Sequence, residues 1–438
     1  MRLFVAHLGY NALLWLLLPY IFLHLWWRAR KQPEYLEHVG ERFGRYAVQS
    51  DKPILWLHTV SVGETRAAAT LVQHLRERYP DHRLLLTHTT PTGRAASEQL
   101  YGDDVLRVYL PYDYPFAVQR FLDHFKPRLG VLLETEVWFN LINACRAAEV
   151  PLLLLNARLS PKSARAYARI RSLTREALHA LTLIAAQTED DALRLASLGH
   201  RAVPVMGNLK FDIVPPAHQL ALGAELRQQF GAQRPVLLAA STRDGEEELL
   251  LTALEYAAVD HLLVVIVPRH PQRFDAVAAL IEQHGYRMQR RSGNAPVADD
   301  IQVVLGDSMG ELFAYYAACD IAFIGGSLLP LGGQNLIEAA ACGKPLLIGP
   351  HTFNFAQAAE AAITHGAALR VQHADDLVHL LNVLMYDPAR MRAMGEAGRR
   401  FVEENQGATE RAMTLIEMAA EDAGHSRSER YQGTASRR

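Results

Sequence analysis

W-L-H-T-V-S-V-G-E-T, residues 56–65, is the stretch that decides the fold, because it joins a predicted buried strand, Ile54–His58, to a helical pattern that begins near Ala67. A strand that feeds a helix through a short glycine turn places that turn at the carboxyl edge of a parallel sheet, where α/β proteins bind ligands. Glu64, a carboxylate at the helix start, is therefore a candidate general base. Ser61-x-x-Glu64 also fits a capping box, in which both side chains only satisfy backbone N–H groups. The stretch alone leaves both roles open.

Composition narrows the class of protein. The chain has 438 residues, 50% of them hydrophobic, and a net charge of −2. This length allows about two or three domains, and the near-neutral charge predicts no nucleic-acid partner. Three cysteines, Cys145, Cys319 and Cys342, lack the spacing of a metal site. We expect them to be buried free thiols in a reducing compartment.

An almost unbroken apolar run extends from Leu3 to Trp27 and is long enough to span a bilayer. Arg28, Arg30 and Lys31 follow it at once, which predicts that the rest of the chain stays on the cytoplasmic side. We therefore expect residues 1–30 to form a membrane anchor. A tilted or partly inserted helix remains open, because the run contains His7, Asn11, Pro19 and His24.

Arg42 and Arg45 extend the basic segment that follows the apolar run. The expected role of these two cations is attraction to anionic lipid headgroups. The alternative is that this surface guides an anionic lipid substrate to the active site.

Predicted strands and helices alternate in two parts of the chain, which indicates parallel βαβ units in two tandem α/β domains. The predicted strands of the first part are Ile54–His58, Leu84–Thr89, Val105–Tyr109, Leu129–Glu134, Leu152–Asn156, Leu183–Gln187 and Ala202–Val205. Those of the second part are Val236–Ala240, Leu262–Pro268, Val303–Leu305, Ile321–Ile324 and Pro345–Ile348. Pro215-Pro216 and the polar residues 228–234 predict a linker region. The polar residues 423–438 predict a disordered tail.

The sequence lacks a G-x-x-x-x-G-K-[ST] phosphate loop, a G-x-G-x-x-G fingerprint and a D-x-D pair. Glu134 and Glu136 stand at the end of an apolar strand, where alternation predicts that only one of them points into the cleft. A polar role in binding substrate or stabilising charge is favoured there over a metal site. Lys210 lies where the first domain gives way to the second and could meet a developing negative charge. An ordinary salt bridge to Asp212 is the alternative.

Three loops of the second part, each after a predicted strand, together favour a nucleotide pocket. Residues 268–271, P-R-H-P, hold an arginine suited to phosphate. The glycine-bearing loops 306–312 and 325–338 expose backbone N–H groups at helix starts, which can cradle one phosphate. Ser308-x-x-Glu311 and Asn335-x-x-Glu338 are also capping patterns, so each loop taken singly is expected to be structural.

The chain resembles the Kdo (3-deoxy-D-manno-octulosonic acid) transferases of lipopolysaccharide assembly, which are GT-B glycosyltransferases. The resemblance lies in a series of motifs in family order: H-T-V-S-V-G-E-T, T-T-P-T-G, L-L-E-T-E-V-W-F-N-L, N-A-R-L-S, G-N-L-K-F-D, P-R-H-P-Q-R-F, G-D-S-M-G-E-L and G-G-Q-N-L-I-E-A-A-A. It implies an α/β GT-B fold, in which two Rossmann-like domains face each other across a cleft and an N-terminal helix anchors the chain in the membrane. The implied domains are 31–212 for the acceptor and 213–422 for CMP-Kdo.

The resemblance also implies the reaction and its residues. An inverting enzyme at the cytoplasmic face of the inner membrane would move Kdo from CMP-Kdo to the lipid A precursor, lipid IVA, without a metal or other cofactor. Glu64 would be the general base, and Glu134 and Lys210 would stabilise the transition state. The implied CMP site consists of Pro268, Arg269, Met309, Gly310, Glu311, Asn335, Leu336, Ile337 and Glu338. Two other classes stay open at this point: a nucleotide-sugar epimerase and a non-catalytic, membrane-attached nucleotide-binding protein.

Overall fold

The computed structural model describes residues 2–30, 32–199 and 203–435, with the side chains of Arg2 and of residues 423–435 outside the description. The chain divides into two compact units. The first unit comprises Met1–Asp212 together with Gln406–Arg438, and the second comprises Ile213–Asn405.

The described part of the first unit contains a six-stranded parallel sheet with the strand order β3-β2-β1-β4-β5-β6. Its strands are β1 Ile54–His58, β2 Arg83–His88, β3 Leu106–Tyr109, β4 Leu129–Leu133, β5 Leu152–Ala157 and β6 Leu183–Ala186. Its helices are α1 Arg2–Ala29, α2 Val62–Ala67, α3 Ala69–Arg78, α4 Pro91–Tyr101, α5 Pro115–Phe125, α6 Phe139–Ala147, α7 Pro161–Arg169, α8 Arg171–Ala180 and α9 Glu189–Ser197.

The strands of this sheet are mostly apolar because helices cover both of its faces. Every residue of β1, β4 and β5 is buried, as expected for a doubly covered parallel sheet. The indole of Trp56 lies across β4, where Gly130 leaves room for it: a Cβ at that position would be 2.5 Å from the ring. The predicted parallel α/β domain is confirmed.

The second unit contains, within the described residues, a seven-stranded parallel sheet with the order β13-β12-β11-β7-β8-β10-β9. Its strands are β7 Val236–Thr242, β8 Leu263–Pro268, β9 Met288–Arg290, β10 Val303–Leu305, β11 Ile321–Ile324, β12 Leu346–Ile348 and β13 Ala368–Arg370. Its helices are α10 Ala217–Phe230, α11 Glu246–Leu254, α12 Phe274–Gln283, α13 Leu312–Ala318, α14 Ile337–Ala341, α15 Ala356–Thr364, α16 Ala374–Met385 and α17 Pro388–Glu404.

Three local predictions differ from the structure. The predicted linker at 228–234 is wrong at its start, since α10 continues to Phe230 and packs on α13. The edge strands β9 and β13 are missing from the prediction. The predicted strand Ala202–Val205 is reduced to one parallel bridge between Ala186 and Val205, and Ala202 lies outside the described residues.

The C-terminal helix, α18 Ala408–Ala435, belongs to the first unit, whereas the sequence analysis places residues up to 422 in the second domain. One stripe of small and apolar residues of α18, at positions 408, 412, 416 and 419, is buried against the sheet and α3. The carboxylate of Asp212 accepts hydrogen bonds from the backbone N–H groups of Gly407, at 2.7 Å, and of Thr409. The backbone of the predicted disordered tail continues this helix to Ala435, and residues 436–438 lie outside the description.

The N-terminal apolar run forms α1, and its segment Leu3–Ala29 is long and apolar enough to cross a membrane. Arg42, predicted to attract lipid headgroups, is instead only 2% exposed. Its guanidinium lies 3.9 Å from the centre of the Tyr109 ring and donates to the Thr89 carbonyl oxygen at 3.1 Å. The lipid-facing role of Arg42 is therefore wrong, while Arg45 is exposed. Lys31 lies outside the described residues.

Candidate active site

The order of strands explains why two of the predicted catalytic glutamates lie close together. In the first sheet β1 lies between β2 and β4, so the chain turns to one side after β1 and to the other side from β4 onward. Ligands bind outside the carboxyl ends of the strands at such a switch point. Glu64 follows β1 and Glu134 follows β4, so both carboxylates stand at this point of the first unit.

Glu64 serves as a helix cap and is also an acid in an unusual environment. Ser61 is the N-cap of α2, and its hydroxyl oxygen accepts from the Glu64 backbone N–H. The Glu64 carboxylate accepts from the backbone N–H of Val60 at 2.8 Å and from the Ser61 hydroxyl at 3.1 Å. The predicted capping contacts are therefore present. They hold the carboxylate in one orientation, which a positioned base also requires.

The pKa of Glu64 is raised from 4.5 to about 7. Burial is the largest cause, since the residue is 9% exposed, and repulsion from the Glu134 carboxylate comes next. The two hydrogen bonds from Val60 and Ser61 oppose this rise by favouring the charged form. A carboxylate whose pKa lies near neutral pH can accept a proton and release it again, as a general base must.

Glu134 is held in a strained backbone conformation at the end of β4. Its φ is +63°, a left-handed value that costs energy for any residue with a Cβ. Its carboxylate accepts from the Lys210 ammonium group at 2.8 Å, with both side chains less than one-fifth exposed. The alternative partner of Lys210, Asp212, binds the start of α18 instead. The structure thus brings the three predicted catalytic residues of the first unit together.

Glu136 belongs to the same cluster, contrary to the prediction that strand alternation separates it from Glu134. Alternation does not apply, because β4 ends at Leu133 before either glutamate. The Glu136 carboxylate accepts from the Trp138 indole N–H at 2.5 Å and lies 3.7 Å from His58 Nε2. It also contributes to the raised pKa of Glu64.

Asn156, which sequence reasoning did not single out beyond a motif match, fixes the segment that carries Lys210. It is 1% exposed, and its side-chain oxygen accepts from the Leu209 backbone N–H at 3.2 Å. Asn208 in turn accepts from the Lys210 backbone N–H at 3.0 Å. Asn156 also has a positive φ of 53°, a conformation in which Asn is several-fold enriched. Apart from the motif N-A-R-L-S, an asparagine at the end of an apolar strand is the sequence signal that could have identified it.

The second unit has its own switch point, where β7 lies between β8 and β11. The loops after β7 and β8 place three arginines around His270: Arg269, Arg243 and Arg273 lower its pKa, after the larger effect of burial. Arg269 donates through Nε to the Gln334 side-chain oxygen at 3.3 Å, which joins the β8 loop to the glycine loop after β11. Arginines at the carboxyl ends of parallel strands are suited to a phosphate group.

The first part of the predicted phosphate cradle in the loop 325–338 is closed to a phosphate, because the N–H groups of its first residues already have acceptors. The carboxylate of Glu246, at the start of α11, accepts from the backbone N–H groups of Gly326 at 2.5 Å, Ser327 at 2.9 Å and Leu328 at 3.0 Å. The Gly325 N–H is used as well, since it donates to the Ala240 carbonyl oxygen. A protein carboxylate thus occupies the place predicted for phosphate, and it fixes the glycine loop instead.

The remaining predicted CMP residues lie on two loops. Pro268 ends β8, and Met309 and Gly310 precede α13, where Met309 is 54% exposed. Glu311 accepts from the Ser308 hydroxyl at 2.6 Å and lies 3.4 Å from an Arg291 nitrogen.

At the start of α14, Asn335 donates through its amide to the Glu338 carboxylate at 3.0 Å and accepts from the Ile337 backbone N–H at 3.1 Å. Leu336 and Ile337 are buried. In the part of the chain that the structure describes, no group of three or more His, Cys, Asp or Glu side chains is arranged to hold a metal ion.

Two Rossmann-like units in one chain, together with a match to the glycosyl transferases group 1 family model, confirm the predicted GT-B fold class. The structure is similar to the crystal structure of HepE from Anabaena in complex with UDP, with a TM-score of 0.55 and 16% identity. This similarity covers 85% of the present chain and 100% of the HepE chain. Residues 248–401 match the family model of glycosyl transferases group 1.

Sequence comparison identifies the family within this class. Residues 37–213 match the family model of 3-deoxy-D-manno-octulosonic-acid transferase (kdotransferase). The chain is 44% identical to the 3-deoxy-D-manno-octulosonic acid transferase of Bordetella pertussis, over 92% of this chain and 96% of that protein. It is 36% identical to the Haemophilus influenzae transferase, over 93% and 97%. The chain belongs to the Kdo transferase family and is a glycosyltransferase that transfers Kdo in lipopolysaccharide synthesis.

Proposed function

We propose that the protein transfers Kdo from CMP-Kdo to the lipid A precursor lipid IVA, with inversion at the anomeric carbon, at the cytoplasmic face of the inner membrane. Membership of the family supports the transferred sugar. The long apolar helix α1 supports attachment to the membrane that holds a lipid acceptor, and Arg28 and Arg30 at its carboxyl end favour the anionic cytoplasmic leaflet. No metal or other cofactor is assigned a part in the reaction.

Glu64 is the general base in this proposal, and its environment is the single observation that carries the mechanism. Its carboxylate is held in place by two hydrogen bonds, stands at the switch point of the first sheet and has a pKa raised to about 7. It takes the proton of the acceptor hydroxyl as that oxygen bonds to the anomeric carbon of Kdo. A single displacement at the anomeric carbon, assisted by one base, inverts the configuration of that carbon.

Glu134 and Lys210 stabilise charge in the transition state. The Glu134 carboxylate favours positive charge at the anomeric carbon while the bond to the leaving group breaks. The Lys210 ammonium group, 2.8 Å from Glu134, meets the negative charge of the acidic sugar. The backbone strain at Glu134 supports a functional position, because strained residues that persist cluster at active sites.

The second unit holds the leaving group. As the glycosidic bond breaks, its electron pair stays on the CMP phosphate, and Arg269 and Arg243 stabilise that charge through fixed planar donors. The wider CMP site consists of Pro268, Arg269, Met309, Gly310, Glu311, Asn335, Leu336, Ile337 and Glu338. Glu338 is suited to accept hydrogen bonds from ribose hydroxyls.

The test compares the Glu64→Gln variant with the wild type in mixed micelles that contain CMP-Kdo and lipid IVA. Mass spectrometry should find lipid IVA carrying Kdo with the wild type. With the variant, the rate should fall by at least about 100-fold, the usual contribution of a general base. Calorimetric affinity for CMP should stay unchanged, because the substitution lies in the other unit. Glu77→Gln, on the exposed surface of α3, is the matched control and should keep full activity.

Two results would contradict the proposal. Near-normal transfer by Glu64→Gln would remove the assigned base. CMP binding by the wild type without any lipid product would instead point to a non-catalytic nucleotide-binding protein.

A further inference from the structure

One stripe of α1 is packed on the first unit along most of the length of the helix. Near its start, the Tyr10 hydroxyl donates to the Asp113 carboxylate at 2.8 Å, and the Tyr10 ring meets the Phe139 ring edge-on at 5.1 Å. Asn11 accepts through its side chain from the Asn140 amide at 2.7 Å.

The packing continues toward the carboxyl end of the helix. The Tyr114 hydroxyl donates to the Leu14 carbonyl oxygen at 2.6 Å, the Phe22 ring stacks on Phe43 with centroids 5.4 Å apart, and Leu25 is only 4% exposed. Together with an ion pair between His7 and Glu176, these contacts extend from residue 7 to residue 25. That length corresponds to about 27 Å of helix.

The polar side chains near the start of the apolar run are therefore docking residues, because His7, Tyr10 and Asn11 all have partners in the folded unit. His24, nearer the end of the run, stacks on Tyr20 and Trp27 of the same helix. An in-plane membrane helix usually turns a charged face to water and an apolar face to lipid. In α1 the folded unit covers the polar stripe, and the other side of the helix is apolar.

The uncovered side of α1 is a large exposed apolar surface. Leu16 is 78% exposed, and further large apolar residues on this side are at least 49% exposed: Phe4, Val5, Leu8, Leu13, Trp15, Tyr20, Leu23, Trp26 and Trp27. Arg28 and Arg30 stand at its end, with the Arg30 guanidinium 3.9 Å from the centre of the Trp26 ring. Tryptophan, tyrosine and arginine beside an aliphatic surface are typical of the membrane–water interface.

We propose that α1 lies in the plane of the membrane surface, docked lengthwise on the first unit with its apolar side in the lipid, and does not cross the bilayer. A docked helix that crossed would carry its neighbours α5, α6 and α8 into the hydrocarbon, over nearly the full bilayer thickness. Those helices carry exposed charges, among them Arg120, Asp123 and Arg146, which are costly in lipid. The partner is a lipid surface with anionic headgroups, and the proposal holds whatever the sugar donor or acceptor.

The experiment measures how deeply each part of α1 lies in the membrane, with the full-length protein. Single cysteines at Phe4, Leu16 and Leu23 are spin-labelled in a Cys342→Ser background, since the other two native cysteines are buried. The protein is bound to vesicles of phosphatidylethanolamine and phosphatidylglycerol, and collision with oxygen and with a water-soluble nickel complex reports the depth of each label. The account predicts the same shallow depth at all three positions. A label at Leu16 near the bilayer centre, with Phe4 near the far surface, would overturn it.

A cross-linking test checks the docking independently. Asn11→Cys with Asn140→Cys should be joined by a short bifunctional thiol reagent in the membrane-bound protein, because the two asparagine side chains are hydrogen-bonded to each other. Leu16→Cys with Asn140→Cys is the matched control and should not cross-link, because Leu16 faces away from the unit. Failure of the first pair in vesicles would show that α1 undocks, which would also overturn the proposal.

A charge test identifies the partner. Leu16→Asp should shift at least about half of the protein from the vesicle pellet to the supernatant, because a carboxylate is costly in the acyl region and is repelled by the anionic headgroups. Leu193→Asp, at a position on α9 that is 67% exposed, should leave binding unchanged. Labels on α1 shielded from both collision reagents would mean that protein, such as a second copy of the chain, covers this surface and that the proposal is wrong.

Discussion

At the scale of single residues, Glu64 shows how a structural role and a chemical role share one side chain. Its hydrogen bonds with Val60 and Ser61 belong to a helix cap, while burial and the neighbouring Glu134 raise its pKa to about 7. A carboxyl group whose pKa is raised in the folded state lowers the free energy of unfolding at any pH at which the unfolded chain is ionised. Replacing Glu64 with a residue that does not ionise should therefore stabilise the protein in that pH range.

Glu64→Gln is expected to be more stable than the wild type at alkaline pH. The unfolded carboxyl group ionises near its ordinary pKa, 4.5, and the folded one near 7, so wild-type stability falls as the pH rises between these values. The glutamine has no such cost, and its oxygen can keep the bond from the Val60 N–H. The difference in unfolding free energy should vanish below about pH 4 and reach about 2–3 kcal/mol above about pH 8.

Thermal melting across this pH range provides the measurement. Glu77→Gln, on the exposed face of α3, serves as the control and should track the wild type throughout. A Glu64→Gln variant that is less stable than the wild type at alkaline pH would show that its capping contacts outweigh the cost of burial.

The sequence predicted the positions of some site residues but not the conformation or the neighbours of others. Glu64 and Lys210 were predicted as candidates because their positions follow from the alternation of elements. The left-handed backbone of Glu134 and the cluster that it forms with Glu136 depend on where β4 ends, which the apolar pattern does not determine. Arg42 was assigned to a lipid-facing role because basic residues are normally exposed, yet it is stacked on Tyr109 inside the unit.

At the scale of elements, a buried carboxylate holds the glycine loop after β11. Glu246 accepts from the N–H groups of Gly326, Ser327, Leu328 and Arg243, which ties the loop and the β7 turn to the start of α11. The loop also passes so close to β7 that a Cβ at Gly325 would lie 2.6 Å from the Ser241 carbonyl oxygen. These contacts place Gln334, which accepts a hydrogen bond from Arg269, so the proposed donor site should depend on Glu246 even if this carboxylate does not touch the donor.

Glu246→Gln should destabilise the protein and weaken donor binding. The glutamine amide group would face backbone N–H donors with no acceptor, at a cost of about 1–3 kcal/mol. The KM for CMP-Kdo should rise several-fold with a smaller change in kcat. Glu248→Gln, exposed on the same helix, is the matched control for both readouts. Unchanged stability together with an unchanged KM would show that the loop holds its shape without the carboxylate.

Asp212 should be needed to keep α18 on the first unit. Asp212→Ala removes the acceptor for the N–H groups at the start of the helix and should cost about 1 kcal/mol, the typical value of an N-terminal cap. Asp212→Asn keeps one oxygen and should retain most of that stability. Limited proteolysis measures the effect, with faster cleavage near Gln406 expected in the alanine variant. Equal cleavage of the two variants would contradict the capping role.

Strands were predicted correctly where burial on both faces makes the whole strand apolar. The central strands of both sheets are apolar because they are covered on both faces, and their predicted positions agree with the structure to within a few residues. The edge strands β9 and β13 are short and only partly buried, so they lack that signal. The return of α18 to the first unit depends on a contact between positions 212 and 407, which are distant in the sequence.

At the scale of the whole molecule, the chain consists of two Rossmann-like units, each with a switch point that carries a different part of the proposed chemistry. In this proposal the first unit provides the carboxylates and the lysine, and the second provides the arginines, with Arg269 hydrogen-bonded to Gln334 of the glycine loop. Two tandem α/β domains could be predicted because both units repeat the same alternation of strands and helices, whereas the GT-B class was implied by the resemblance to the Kdo transferases. The sequence could not show that the N–H groups of the glycine loop bind Glu246 and not a phosphate, since a glycine-rich segment before a helix is compatible with either anion.

The central claim is that Glu64 is the base, and the pH dependence of kcat/KM for transfer to lipid IVA tests it most directly. A base must be ionised, so the rate should rise with pH through an apparent pKa of about 7 and then level off. In Glu134→Gln, which removes the repulsion, the residual activity should rise at a lower pH, while Glu77→Gln should match the wild type. An apparent pKa near 4.5, or one near 7 that stays in place in Glu134→Gln, would contradict the account.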